Sequence, residues 1–480
     1  ATLTPGGIEV FAYVPHAVLG TLNQLADKAY VHRYYVDGPL TEHDAYISGG
    51  WKNIVIGTTG AGAGIASGGG TSPRAGVFAI DVTGINSSPT NITASNVLWE
   101  INSSQAAFSQ LGHVLTDVQT GVTLDGTWVA IFGNGYESAA CTARLFVVNL
   151  ATGALIREIN TASGACSSGN RNGLGGIRVV RNANQQVIGV YAGDLRGNMW
   201  KFNLNNASPA SWGVDLGGQP LYAAGANQPI TAIPSVLPLP ILGTTDPKPG
   251  YMVVFGTGKF FEVADINTTA QQTLYGVWDS AEFGASVYTG VPLTSNSLLV
   301  QQTVSTGVVA PNGNTYFSIS TNDVPYTGAT PKRGWYINFP NSGQRLVYPL
   351  DLLASRFAVA DTISPTNVSL DPCANTSGGT GYLYIVDALN GAGPTEAILD
   401  TNGDGNVDTS DLIVSGIEGK ADGRNVNLLV SKNELVTTYA NVSGGDPGAT
   451  LISLSCRLTN TCIVPASGGT RRQWRQLFLR

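Results

Sequence analysis

Twelve consecutive residues, Asp400-Thr401-Asn402-Gly403-Asp404-Gly405-Asn406-Val407-Asp408-Thr409-Ser410-Asp411, place oxygen donors at alternate positions. Asp400, Asn402 and Asp404 offer side-chain oxygens, Asn406 its backbone carbonyl, and Asp408 a carboxylate acting directly or through water. Gly405 stands where such a loop turns sharply back around one ion. Hard oxygen donors without thiol or imidazole favour Ca²⁺ over transition metals, and several at close quarters favour it over Mg²⁺. The carboxylates of Asp400, Asp404, Asp408 and Asp411 repel one another, so the folded loop is expected to depend on the metal. Asn, Asp and Gly also build ordinary polar turns, but the regular alternation favours the ion. The motif departs from the EF-hand pattern at its twelfth position, where Asp411 replaces the usual bidentate Glu. The shorter side chain leaves closure of the shell to Asp408 and the role of Asp411 open.

Other constellations carry less. His32, Asp37, His43 and Asp44 lie close in sequence, yet no tight ligand spacing joins them, and structural hydrogen bonding is the expected role. Gly256-Thr257-Gly258-Lys259 lacks the full phosphate-loop spacing and reads as a turn. Asp194 and Asn198, flanking Gly197, are expected to bond the backbone of their own turn. The five cysteines fit an oxidising compartment. Cys456 and Cys462 flank a hairpin turn, Cys141 and Cys166 form a second plausible pair, and Cys373 is left over. Sequence does not fix that connectivity.

The elements that must hold the loop are strands. A weak repeat recurs as a short apolar strand ending in Asp or Asn: Val77–Asp81, Leu145–Asn149, Met199–Asn203, Leu274–Asp279, Trp335–Asn338 and Leu383–Asp387. Before several copies lies a second strand ending in glycine: Ile54–Gly57, Val129–Gly133, Val187–Gly193 and Met252–Gly256. Such paired strands are the inner hairpin of a propeller blade, and loosely spaced copies imply long insertions between blades. Six copies plus the terminal segments suggest a closed ring of about seven blades. Phe11–Val14 and Trp474–Leu479 are expected to share the closing blade. Pro15 to Asp27 carries Val18, Leu19, Leu22 and Leu25 at near-helical spacing, which predicts one short amphipathic helix. No clean domain boundary is visible, so residues 1–480 read as a single domain, with the loop at 400–411 on the connection leaving the last strong repeat.

Composition supports an all-β chain. Only 12% of the 480 residues are charged and 60 are glycine, which suits short strands and tight turns rather than helices laced by charge pairs. A net charge of -7 gives no general attraction to nucleic acid or to anionic membranes. No apolar run approaches the ~20 residues that span a bilayer, so a soluble segment without membrane insertion is expected. The chain opens on Ala1-Thr2-Leu3-Thr4-Pro5, as a mature product or an excised domain would.

Several of these segments together resemble the C-terminal domain of the PilY-type type IV pilus biogenesis and tip adhesin family. They are Glu9–Pro15, His32–Gly38, Gly193–Phe202, Phe255–Phe260, the loop at 400–411 and Arg471–Arg475. The resemblance implies a modified seven-bladed β-propeller with long inter-blade insertions, exported through the periplasm to the bacterial surface or pilus tip. It implies one calcium site, at Asp400, Asn402, Asp404, the Asn406 carbonyl and Asp408, that tunes pilus extension against retraction. Twitching motility and surface attachment would follow, with pilin or minor pilins as partners and a host or abiotic surface as a further ligand. Family members carry a variable N-terminal region ahead of this domain, to which host-cell binding is expected to belong.

Two other functions compete with this one. Propellers also host quinone-dependent dehydrogenases, which stack the cofactor on a Trp and often on a vicinal disulfide. This chain has eight Trp but no adjacent cysteines, and most of its Trp sit in strand repeats where core packing is the usual role. The expectation is therefore a non-enzymatic protein. A lectin-like or receptor-binding adhesin module is the remaining alternative.

Overall fold

A computed structural model describes residues 11–30, 33–63, 75–85, 93–139, 141–162, 171–239, 249–285, 293–353, 356–365, 379–404, 407–419, 427–431, 434–438 and 449–452. Strand and turn account for nearly all of them, and the chain divides into two compact units. The first comprises Ala1–Leu195, Met199–Pro220 and Phe283–Gly290; the second comprises Arg196–Asn198, Leu221–Glu282 and Val291–Arg480.

The first unit contributes four antiparallel strands, in simple meander order, to each of three sheets. They are β1 (Leu40–Ile47), β2 (Gly50–Thr58), β3 (Gly76–Asp81) and β4 (Val97–Asn102); β5 (Gln119–Val122), β6 (Trp128–Gly133), β7 (Arg144–Asn149) and β8 (Leu155–Asn160); and β9 (Leu174–Arg181), β10 (Val187–Asp194), β11 (Asn198–Asn203) and β12 (Gly213–Val214). The paired repeats fall where the sequence places them: β2 with β3, β6 with β7 and β10 with β11. Because side chains alternate across a strand, the middle sheet serves two cores. Ala130, Phe132, Phe146 and Val148 pack towards the first sheet, while Val129, Ile131, Leu145 and Val147 pack towards the third. A strand buried on both faces reads as a continuous apolar run, which is what the repeat is. Each fully buried side chain of this size contributes roughly 1.5–3 kcal/mol.

Phe283 closes the third sheet from a distance. Its ring sits against Gly189 of β10, 5.5 Å from the Tyr191 ring and 4.4 Å from Lys201 Nζ. Asn205 Nδ2 donates to the Phe283 carbonyl at 3.2 Å, and the Gly284 N–H donates to Asp215 Oδ2 at 3.2 Å. Lys201 is fully buried, with Asp215 Oδ2 at 3.7 Å as its counter-charge.

The second unit opens with the two-residue strand β13 (Tyr222–Ala223). Its first large sheet runs β14 (Ser235–Leu239), β15 (Gly250–Gly256), β16 (Thr273–Asp279), β20 (Gly334–Asn338) and β17 (Val300–Gln302), the last pair parallel. Its second runs β18 (Val308–Val309), β19 (Thr315–Phe317), β25 (Gly416–Gly419), β24 (Gly379–Asp387), β23 (Phe357–Pro365) and β21 (Arg345–Leu346), with β22 (Asp351–Leu353) also on β23. A three-stranded meander, β26 (Asn427–Ser431), β27 (Glu434–Thr438) and β28 (Ala449–Ile452), completes the described strands. One core joins the two large sheets through Leu237, Met252, Val254, Trp335, Phe317 and Tyr384.

Three expectations need correcting. Trp335–Asn338 does not head a sheet of its own: it is paired between β16 and β17, so two of the six repeats share one sheet. The expected helix over Pro15–Asp27 is instead one α-turn, α1 (His16–Leu19), and a 3₁₀ turn at Leu22–Ala26. Gly20 interrupts the pattern, leaving Leu19 and Leu25 about half exposed. Phe11–Val14 forms no strand; Tyr13 packs on Phe78 and donates to Glu100 Oε2 at 2.7 Å. Trp474–Leu479 lies outside the described residues. Among the described residues no helix is long and apolar enough to cross a membrane.

Candidate metal centre

The oxygen-rich loop sits between two neighbouring strands. β24 and β25 pair from Gly381 with Gly419 to Tyr384 with Gly416, and the connection between them carries residues 400–411. Both stems are anchored. Ile398 and Leu399 before the loop and Val414 after it are buried with Tyr316, Val359, Leu383, Ile385 and Ile417 on one face of the sheet. The polar loop therefore leaves and re-enters a dry core within a few residues of its own donors.

Within the loop, side-chain oxygens fold back on the backbone. Asp400 Oδ1 accepts the Gly403 N–H at 2.6 Å, Asn402 Oδ1 the Asp404 N–H at 2.9 Å and Asp408 Oδ1 the Ser410 N–H at 2.8 Å. These local bonds curl the chain around its own donors. Gly403 adopts φ +80°, a left-handed conformation that suits glycine. Asn402 Nδ2 donates to Asp404 Oδ2 at 3.3 Å and to Ser410 Oγ at 2.8 Å, tying the two halves together. Hydrogen bonds from the Ser410 side chain and backbone hold the Asp408 carboxyl below its ordinary range, so it stays ionised in mild acid. Gly405 and Asn406, the expected turn and carbonyl donor, lie outside the described residues.

Asp411 has a role the sequence left open. Its Oδ1 accepts from the Thr401 N–H at 2.7 Å, Thr401 Oγ1 at 3.1 Å and the Asn402 N–H at 3.2 Å. Its Oδ2 accepts the Asp408 N–H at 2.9 Å. One buried carboxylate thus clasps the start of the loop to its end. The Leu412 N–H closes the same clasp by donating to Thr401 Oγ1 at 2.8 Å.

The donor set suits Ca²⁺: oxygen only, mixing carboxylate and amide on a loop already curled by its own backbone bonds. Among the described residues no three His, Cys, Asp or Glu side chains form a ready metal cluster. A site here would draw on Asn402 and on a backbone carbonyl as well as on carboxylates. Of the residues the sequence singles out, Asp400, Asn402, Asp404 and Asp408 share this one curled loop, though their carboxylates do not converge on a common point.

Elsewhere the polar residues hold structure. His43 Nε2 lies 2.9 Å from Thr41 Oγ1 and 3.2 Å from the Val118 carbonyl, while Asp37 Oδ1 accepts the Ala61 N–H at 2.7 Å. Asp44 Oδ1 accepts from Asn53 Nδ2 at 3.1 Å, and His32 lies outside the described residues. Lys259 Nζ pairs with Asp265 Oδ1 at 3.1 Å and Glu262 Oε1 at 3.3 Å, well suited to bracing a turn. Asp194 is bonded to side chains beyond the turn expected of it. It is fully buried, and its Oδ2 accepts from Trp200 Nε1 at 2.8 Å and Asn172 Nδ2 at 3.0 Å. Trp99, Trp212 and Trp335 are likewise buried, each donating its indole N–H to a backbone carbonyl. Cys141 is disulfide-bonded, and Cys166, Cys373, Cys456 and Cys462 lie outside the described residues.

Comparison with known proteins converges on one family. The model of the PilY1 beta-propeller domain matches residues 5–315. The type IV pilus biogenesis factor PilY1 homolog of Xylella fastidiosa is 36% identical over 411 residues, covering 80% of this chain and 25% of that protein. Type IV pilus biogenesis factor PilY1 of Pseudomonas aeruginosa PAO1 is 33% identical over 471 residues, covering 89% of this chain and 37% of that protein. The chain thus spans between a quarter and rather more than a third of these relatives. The crystal structure of the P. aeruginosa PilY1 C-terminal domain superposes with a TM-score of 0.70 at 28% identity, covering 94% of this chain and 89% of that one. With its four-stranded sheets packed face to face and a sequence match over most of its length, this chain belongs to the PilY1 family and carries its β-propeller domain.

Proposed function

We propose that this domain works in type IV pilus biogenesis at the bacterial surface or pilus tip, as a non-enzymatic element regulated by calcium. Membership of the PilY1 family supports the pilus role. The observation that carries the calcium reading is the loop itself: an oxygen-rich turn curled by its own backbone bonds and rooted on both sides in a sheet core. In this reading Asp400, Asn402, Asp404, the Asn406 carbonyl and Asp408 hold the ion on one blade of a seven-bladed ring. Bound calcium neutralises carboxylates that otherwise repel one another. The protein's own contribution is to keep the donors close through the Asp411 clasp, so that the loop stiffens and favours one contact with pilin or minor pilins. Pilus extension against retraction, twitching motility and attachment to host or abiotic surfaces are the outputs. Calcium modules outside the cell bind at ~10⁻⁴–10⁻³ M, so ambient calcium itself can be the signal.

Titration calorimetry on the domain, followed by pilus assays in cells, tests this. Calcium should bind once per chain, and Asp408→Ala should abolish binding. Cells carrying Asp404→Ala should change in motility or piliation. No calcium binding to the wild-type domain, or full binding by Asp408→Ala, overturns the site; unchanged pili and motility overturn its regulatory role.

A further inference from the structure

The loop is also gripped from a hairpin that shares none of its sequence. The turn between β18 and β19 carries Asn312, whose Nδ2 donates to the Asp400 carbonyl at 3.2 Å and to Tyr316 Oη at 2.9 Å. Tyr316 Oη, fully buried, donates to the same Asp400 carbonyl at 3.4 Å. The Asn312 N–H donates to the Thr401 carbonyl at 3.4 Å. Asn312 Oδ1 accepts the Asn314 N–H at 3.1 Å, which fixes the amide with its nitrogen towards the loop. Gly403 lies against the same residue, a Cβ there falling 3.2 Å from Asn312 Cβ. The carbonyls of the loop's first two residues are therefore held from outside, 88 residues away in sequence.

We infer that Asn312 and Tyr316 are positioning residues for the calcium loop, and that through them calcium controls the order of the β18–β19 hairpin. The inference rests on the calcium reading of residues 400–411. Holding the Asp400 and Thr401 carbonyls fixes the backbone from which the Asp400 side chain projects, and the Gly403 N–H then holds its carboxylate through Oδ1. Outer residues that orient metal ligands typically change affinity 10–100-fold when removed. Coupling is reciprocal: if the ordered hairpin strengthens calcium binding, calcium orders the hairpin by the same factor. The output is local and specific. The hairpin ends in Val308 and Val309, which are 54% and 69% exposed at the terminal strand of the sheet.

The test uses the 480-residue domain and two readouts, calcium calorimetry and hydrogen exchange of residues 308–317 with and without calcium. In the wild-type domain calcium should slow exchange across the hairpin. Asn312→Ala should weaken calcium about 10–100-fold and remove the calcium-dependent slowing. Asn312→Asp keeps the shape and the bond from Asn314 but turns an oxygen towards the Asp400 carbonyl, and should match the alanine variant. Tyr316→Phe should act in the same direction but more weakly. Thermal unfolding in chelator establishes that each variant is folded, and the Asp substitution serves if Ala is not. A wild-type domain that binds no calcium sinks the reading of the loop itself. A wild-type domain that binds calcium while Asn312→Asp binds within about threefold, or without any change in exchange at 308–317, overturns the present inference alone.

Discussion

Replacing Asp411 with alanine should open the calcium loop while leaving every expected ligand in place. The carboxylate gathers four donors: the Thr401 N–H and hydroxyl, the Asn402 N–H and the Asp408 N–H. They differ in what replaces the lost bond. Asn402 and Asp408 reach solvent, so water takes over there at small cost. Thr401 is 1% exposed, and its amide has no such substitute. A buried amide left unpaired costs about 1–3 kcal/mol, and hydrogen bonds to charged acceptors contribute about 1.5–3 kcal/mol. One bond lost at near full value and the rest in part gives about 3 kcal/mol of local destabilisation, roughly a hundredfold in the opening equilibrium. Hydrogen exchange of residues 400–412, measured in chelator, reads that number directly. Calcium affinity should fall in parallel, because the competent form is less populated. Protection in chelator that stays within about threefold of wild type would refute the clasp. Complete loss of calcium binding with unchanged protection would show instead that Asp411 is itself a ligand.

Two further outcomes follow from packing and charge. A Cβ at Gly189 would fall 2.0 Å from Phe283 Cε1, so Gly189→Ala should expel the ring and cost about 3–5 kcal/mol in urea unfolding, as loss of a buried Phe does. In a Phe283→Ala background the same change should cost almost nothing, and an equal cost in both backgrounds would place the strain elsewhere. The Ser410 side chain is the largest influence holding the Asp408 carboxyl below its usual range, so the share of calcium binding that depends on ionised Asp408 should be present above that depressed value and be lost as pH falls through it. Ser410→Ala should move the loss to higher pH in calcium titrations; an unmoved midpoint would discount the Ser410 hydroxyl.

What the sequence revealed depended on how local the signal was. The apolar repeats are strands because burial on both faces leaves an unbroken hydrophobic run, legible without knowing any partner. Which strand pairs with which is not written locally. Trp335–Asn338 looks like the other repeats yet docks on β16, because a strand flanked by neighbours further along a sheet has the same composition. The helix expected over Pro15–Asp27 failed at Gly20, where apolar spacing continued but the backbone did not. The loop's alternating oxygens were visible because the expected ligands are neighbours in sequence. Asp411 was visible as a carboxylate but not as a clasp, since its donors are backbone amides that carry no residue identity. Asn312 and Tyr316 were invisible, as nothing in a Val-Val-Ala-Pro-Asn-Gly-Asn turn points to an acidic loop far downstream.

The Phe283 socket also sets a schedule for the nascent chain. Strands β9–β12 are complete by residue 214, yet the ring that covers Gly189, Tyr191 and Lys201 arrives only at residue 283. At a synthesis rate of ~5–20 residues per second, the third sheet waits several seconds for it. During that interval a cationic side chain that ends fully buried lacks the ring that lies 4.4 Å from its Nζ. Fragments cut between these two points would keep all three sheets of the first unit and still lack its last piece. Anyone dissecting the domain by truncation should carry the chain past residue 284, well beyond the point where the strands alone suggest a boundary.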